Sequence, residues 1–231
     1  MRYRSVEIRR HHSTSPWTYS DLDQKQRQIA TQVRSGSSGV FLLSELAPVI
    51  TCGRRTPSSD VFLNTMQIYS TDRGGLATYH GPGQWVLFPV DHLKNLTGDP
   101  RGVRKAAESL LEIALEVGRL YEPRSEIRWG REMGVWTPRG KFAAVGFHIE
   151  KGVLLHGLSV NGYRTPESFL GLRPCGLDSN VDFLLGDNRS SEFETLGQRL
   201  IGQALIQFEK TADFSRERLT GRGTEVISHS S

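Results

Sequence analysis

D-R-G-G-L-A-T-Y-H-G-P-G-Q-W-V-L-F-P-V-D, residues 72–91, decides how the rest of the chain is read. Its first half sets Arg73, Thr78, His80 and Gln84 among Gly74, Gly75, Gly81 and Gly83. A packed strand has no use for so many glycines, whereas a backbone that must pass close to a bound molecule does. The second half, Gln84 to Val90, is an apolar run of strand length. The pattern predicts a glycine-walled pocket that feeds into a buried strand.

Upstream, residues 3–9 alternate like a strand. Tyr19, Leu22, Ile29, Ala30 and Val33 fall on one face of a helix over 19–34, ended by Ser35-Gly36-Ser37-Ser38-Gly39. Val40 to Leu43 reads as a buried strand, with 48–53 as its expected partner, and 67–69 as a short strand leading into the pocket motif. Downstream, a helix is expected to start at Asp99 as cap with Pro100 in its first turn. Val103, Ala106, Ala107, Leu110, Leu111, Ala114 and Val117 give it a wide apolar stripe suited to packing on a sheet. Strand-like runs follow at 125–129, 133–137, 141–149 and 153–160, with Pro138-Arg139-Gly140 as a hairpin turn. Ser191 and Glu194 suggest a capping box for a last helix, whose apolar face carries Phe193, Leu196, Leu200, Ile201, Leu205 and Phe208. Periodicity fades near Thr211. The expected organisation is one catalytic domain over 1–213 and a loosely ordered tail over 214–231. Adjacent strands mixed with helices predict an α+β fold.

Composition narrows the function classes. The chain has 231 residues, 37% hydrophobic and 23% charged, which supports a globular core. Its apolar runs are too short to span a bilayer, and the N-terminus lacks an apolar leader core, so the expectation is a cytoplasmic protein with no membrane association. The net charge of +4 comes without a dense Lys/Arg tract, which suits an acidic protein partner better than nucleic acid. Two cysteines, Cys52 and Cys175, do not make a disulfide framework or a Cys-rich zinc site.

Several groups can carry chemistry. Cys175 sits on a Pro174-Cys175-Gly176 turn that projects its sulfur, and Lys141 opens the apolar run Phe142-Ala143-Ala144-Val145-Gly146. A thiol of ordinary pKa, about 8.5, is mostly protonated at neutral pH, and a nearby ammonium favours the thiolate. The same lysine, once neutral, can accept or return a proton. The plain alternative is a half-buried structural cysteine and a surface lysine. His80 and His156 are further candidates, for substrate contact, for a Cys-His pair or for hydrogen bonds to the pocket backbone. Neither belongs to a close-spaced ligand pair, so no metal is expected. Gly81-Pro82-Gly83-Gln84 does not fit G-x-x-x-x-G-K-S/T, so nothing here supports ATP use.

Five blocks in this order, R-G-G-L-A-T-Y-H-G-P-G-Q (73–84), G-V-W (134–136), G-K-F-A-A-V-G (140–146), H-G-L-S-V-N (156–161) and R-P-C-G-L (173–177), resemble the octanoyltransferase family. The resemblance covers about residues 40–180, and the spacing of Lys141 from Cys175 also matches. It implies a mixed β-sheet with helices packed on its outer face, as in biotin and lipoate protein ligases. It implies that an octanoyl chain passes from octanoyl-acyl carrier protein to a cysteine. From there it passes to a lysine on lipoyl domains of 2-oxoacid dehydrogenases or the glycine-cleavage H protein. By motif, Cys175 is the nucleophile and Lys141 tunes it and moves protons. The acyl site is lined by Arg73, Gly74, Gly75, Leu76, Ala77, Thr78, Tyr79 and His80, with Ala144, Val145, Gly146, Gly157, Leu158 and Ser159. No cofactor is implied, the working form is expected to be a monomer, and Cys52 is expected to be structural. Two features depart from the family: Phe142 after the lysine, and the polar run from Leu177 to Asp182. Rival readings are an ATP-dependent lipoate ligase, an octanoyl amidotransferase between carrier proteins, and a non-catalytic binding module for lipoyl domains or acyl carrier protein.

Overall fold

The structure is a computed structural model that describes residues 5–10, 14–61, 66–172, 180–187 and 192–220, with side chains through Lys210. In chain order its elements are β1 (Ser5–Arg9), α1 (Tyr19–Arg34), β2 (Val40–Ser44), β3 (Val49–Cys52), β4 (Gln67–Ser70), β5 (Thr78–His80) and β6 (Gln84–Val90). Then come α2 (Leu93–Thr97), α3 (Val103–Arg119), β7 (Glu126–Arg128), β8 (Gly134–Thr137), β9 (Gly140–Glu150), β10 (Val153–Asn161) and α4 (Glu192–Thr220).

Seven strands form one sheet in the order β1-β2-β6-β10-β9-β8-β7. The β1–β2 pair is parallel and the other pairs are antiparallel, so the sheet is mixed as expected. A smaller sheet, β4-β3-β5, stands beside it. The expected β2–β3 pairing is not found. Every residue of β2 is buried, and it takes a place between β1 and β6, while β3 becomes the centre of the small sheet. A strand apolar on both faces belongs inside a covered sheet, and β6 is the longer strand that can flank it.

Strand alternation divides the core in two. Val40, Leu42, Val86, Phe88, Val90, Val153 and Leu155 pack with Tyr19, Leu22, Ile29, Ala30 and Val33 of α1. On the opposite face, Phe41, Leu43, Trp85, Leu87, Leu154, Leu158 and Val160 pack with the stripes of α3 and α4. Helix α1 starts at Tyr19 because Thr18 and Asp21 form a capping box there.

Helix α3 begins later than expected, at Val103, with Gly102 at its N-cap and no side-chain cap bond. The Asp99 carboxylate instead accepts the N–H of Arg101 at 2.8 Å, closing a local turn after α2. The Ser191 cap expected for the last helix lies outside the described residues. Helix α4 runs to Thr220, past the point where apolar periodicity fades, and Phe193, Leu196, Leu200, Ile201 and Phe208 are buried along it. Residues 221–231 of the expected tail lie outside the described residues. No helix among those described is long and apolar enough to cross a membrane.

Candidate active site

A groove of about 110 Å³ runs along the β9–β10 pair. Its walls include Lys141, Ala144, Val145 and Gly146 of β9 and His156, Gly157, Leu158 and Ser159 of β10. Arg73, Gly75, Leu76, Thr78 and His80 close it from the glycine-rich stretch before β6, and Tyr19, Phe88, Arg55, Gly130, Arg131 and Met133 complete it. Most of the expected acyl-site residues therefore meet on one surface. Gly74, Ala77 and Tyr79 stand off the groove surface: Gly74 donates its N–H to the Phe147 carbonyl at 3.1 Å, while Ala77 and Tyr79 are buried with Ile50 and Leu172. Burial pushes the Tyr79 hydroxyl up to about 12.

The glycines around the groove mostly admit protein. A side chain at Gly81 would overlap the Tyr79 ring, one at Gly83 the Tyr163 carbonyl, and one at Gly157 the Leu87 carbonyl. At Gly146 the neighbour is the Gly74 carbonyl, 3.1 Å from where a Cβ would stand. The wall is thin because backbones approach one another across it.

Lys141 lies at one end. Its Nζ donates to the Met133 carbonyl at 2.6 Å and sits 5.9 Å from the Trp136 ring centroid. Gly134, in the left-handed region at φ 156°, leaves room for the lysine stem, since a Cβ there would overlap Lys141 Cε. The Lys141 backbone N–H donates to the Asn180 carbonyl at 2.9 Å, and its carbonyl accepts from Asp182 N–H at 3.0 Å. The strand that carries the lysine is thus stitched to the segment that follows residue 179. Cys175, the expected nucleophile, lies outside the described residues. Cys52 ends β3, is half-buried and does not line the groove; burial pushes its thiol up from the ordinary value.

The other end is a buried polar cluster of which only the histidines stand out in the sequence. His156, 1% exposed, has φ 61°, a left-handed backbone that non-glycine residues adopt at a cost of roughly 1–3 kcal/mol. In the register of β6 and β10 it falls opposite Pro89, which has no N–H to give, and the ladder is open there between Leu87/Leu158 and the His92/Val153 bridge. The His156 N–H turns out of the ladder and donates to Gln26 Oε1 at 2.7 Å. Gln26 Nε2 donates to His156 Nδ1 at 3.2 Å, so the proton is assigned to Nε2, which donates to Asp72 Oδ1 at 2.7 Å. The Tyr19 hydroxyl also reaches His156 Nδ1, at 3.0 Å. Burial lowers the His156 pKa against the pull of Asp72. The hydrogen bond from His156, together with the Arg27 guanidinium, holds the Asp72 carboxyl well below the usual carboxylate range. Burial raises the Tyr19 hydroxyl above the ordinary phenol value.

His80 is also neutral. Burial lowers its pKa to about 3, more than the Gln84 hydrogen bond restores. Gln84 Nε2 donates to the Tyr79 carbonyl and to Asn161 Oδ1, leaving Gln84 Oε1 to accept from His80 Nδ1 at 2.6 Å. That pattern makes His80 Nε2 an acceptor. Arg73, 6% exposed, donates to the Thr51 carbonyl and hydroxyl at 2.8 and 2.9 Å. Tyr19 and Asp72, absent from the expected site, gave no chemical signal: Tyr19 reads as one more apolar position of α1, and Asp72 as a loop acid.

The mixed sheet, the two helical layers and the groove define the class. Residues 22–200 match the model of the lipoyl protein ligase A/B catalytic domain. The fold is also that of a lipoate-protein ligase A solved with ATP bound, at a TM-score of 0.64 and 12% identity over 92% of this chain and 93% of that one. It is shared with the biotin protein ligase from Aquifex aeolicus, at a TM-score of 0.51 and 10% identity over 95% and 76%. In sequence the chain is 36% identical over 161 residues to the octanoyltransferase of Magnetococcus marinus, covering 69% of this chain and 74% of that protein. The chain belongs to the octanoyltransferase family, and it is an acyltransferase of protein lipoylation.

Proposed function

We propose that this acyltransferase works through a thioester on Cys175. The Cys175 thiolate, its proton held on Lys141, attacks the carbonyl of octanoyl-acyl carrier protein, and the carrier sulfur leaves and takes that proton from Lys141. The ε-amine of a lipoyl-domain lysine then attacks the new thioester, the amide forms, and Cys175 departs as thiolate. Lys141 relays the proton that the amine loses. Exchange between two sulfurs is nearly balanced and amide formation runs downhill, so neither step calls for ATP. The working form is a cytoplasmic monomer. Acceptors are the lipoyl domains of 2-oxoacid dehydrogenases and the glycine-cleavage H protein.

The observation that carries this reading is the placement of Lys141. It stands at one end of a groove with apolar stretches at Ala144, Val145 and Leu158, and its own backbone is bonded to Asn180, five residues beyond Cys175. In this reading a backbone N–H near Cys175 or Gly75 stabilises the oxyanion of each tetrahedral intermediate. Arg55 and Arg131 on the groove, with Arg54 beside them, suit an acidic carrier.

The test is to incubate the protein with octanoyl-acyl carrier protein without ATP and weigh it. A gain of one octanoyl group that is absent from Cys175→Ala is expected; an unmodified wild-type mass would falsify the mechanism. Lys141→Ala should raise the thiol pKa, read as alkylation rate against pH, and an unchanged profile removes the tuning role.

A further inference from the structure

The end of the groove remote from Lys141 is walled by aromatic rings. Tyr19 stacks on His80 at 5.7 Å and on His156 at 6.4 Å, with interplanar angles of 14° and 12°. Phe88 stands edge-on to both Tyr19 and His156. All four rings line the groove and all are at most 5% exposed.

Their polar atoms are largely turned to one another. The Tyr19 hydroxyl and Gln26 hold His156 Nδ1, Asp72 holds His156 Nε2, and Gln84 holds His80 Nδ1. Asp72 is tied in turn to Arg27, which also pairs with Asp23 and Glu150. What the cluster presents to the groove is therefore mainly ring surface, and to push a ring aside breaks buried hydrogen bonds.

The wall also stands at a fitting remove. Lys141 and Phe147, the strand partner of His156, are six residues apart on β9, or ~20 Å at about 3.3 Å per residue. That distance spans the lysine side chain, the acyl carbonyl and a medium-length alkyl chain. A wall that yields would take longer chains; a wall locked by hydrogen bonds sets a limit.

We propose that Tyr19 is the end stop of the acyl groove, and that His156 and Asp72 are positioning residues that hold it there. The cluster then sets the longest chain the enzyme accepts. This rests on the reading of the groove as an acyl site.

The experiment measures kcat/KM with octanoyl, decanoyl and dodecanoyl thioesters of acyl carrier protein, and the mass of the acyl-enzyme formed from each. One methylene in an apolar pocket is worth roughly 10–200-fold, so Tyr19→Ala should raise the dodecanoyl-to-octanoyl ratio by about tenfold or more. Asp72→Asn should move the same ratio in the same direction by a smaller factor, which a merely structural role would not do. Equal losses at all chain lengths in both variants overturn the end stop. If Tyr19→Ala does not fold, Tyr19→Leu and Asp72→Asn decide, and an unchanged ratio in both is again fatal. A wild-type protein that forms no adduct at any length overturns the acyl-site reading, and the end stop with it; an adduct with an unmoved ratio overturns the end stop alone.

Discussion

His80 shows what burial does to a single side chain. Its ring is neutral in the folded protein, with a pKa near 3 against an ordinary 6.5. The unfolded chain therefore binds a proton that the folded one refuses, and stability is lost as pH falls from about 6.5 toward about 3. Asp72, whose pKa is also depressed, adds a loss of the same sign at the acid end. Thermal melts taken at stepwise lower pH should show a falling Tm over that window, and His80→Gln should flatten its upper part. A Tm level from neutral pH to pH about 4 contradicts the neutral buried ring. The sequence marked His80 as a candidate because it lay among glycines, but its partner Gln84 and the stack on Tyr19 depend on contacts between distant segments. His156 was visible in the same partial way: the histidine was evident, whereas its left-handed backbone and its bond to Asp72 were not.

At the level of elements, most of the chain was legible because its periodicities are clean. Helix α1 spans the residues its stripe predicts, and the hairpin at Pro138-Arg139-Gly140 joins β8 to β9. What misled was pairing and capping. Strand β3 follows β2 closely and pairs elsewhere, since adjacency in sequence says nothing of which strand is buried on both faces. Asp99 followed by Pro100 looks like a helix start, yet the carboxylate is engaged in a turn. Phe142, which the resemblance marks as a departure, has a compensation on α3: a Cβ at Gly118 would overlap the Phe142 ring. Gly118→Ala should cost about 1–3 kcal/mol by overpacking. Phe142→Leu in the same chain should recover much of it, because the two positions share one space. Denaturant melts of the four members of that cycle check the coupling, and additive costs rule the compensation out.

At the scale of the whole molecule, among the described side chains of α4, which end at Lys210, the last fully buried one is Phe208, and the helix backbone runs on to Thr220. We propose that residues 1–213 hold the complete catalytic domain. Deletion of 214–231 should leave Tm within a few degrees and acyl-enzyme formation intact, whereas deletion from Ile201 onward should abolish folding by removing Phe208 and Ala204 from the core. A large fall in Tm from the shorter deletion sinks the boundary.

The bond between Tyr19 and His156 joins positions 137 residues apart. Contacts so distant in sequence are among the slow ones to form in a folding chain. A nascent polypeptide still short of β10 has no closed far wall, so on the proposed reading it has no partial cavity in which a fatty thioester could lodge. The far wall is therefore among the last parts of the groove to be built.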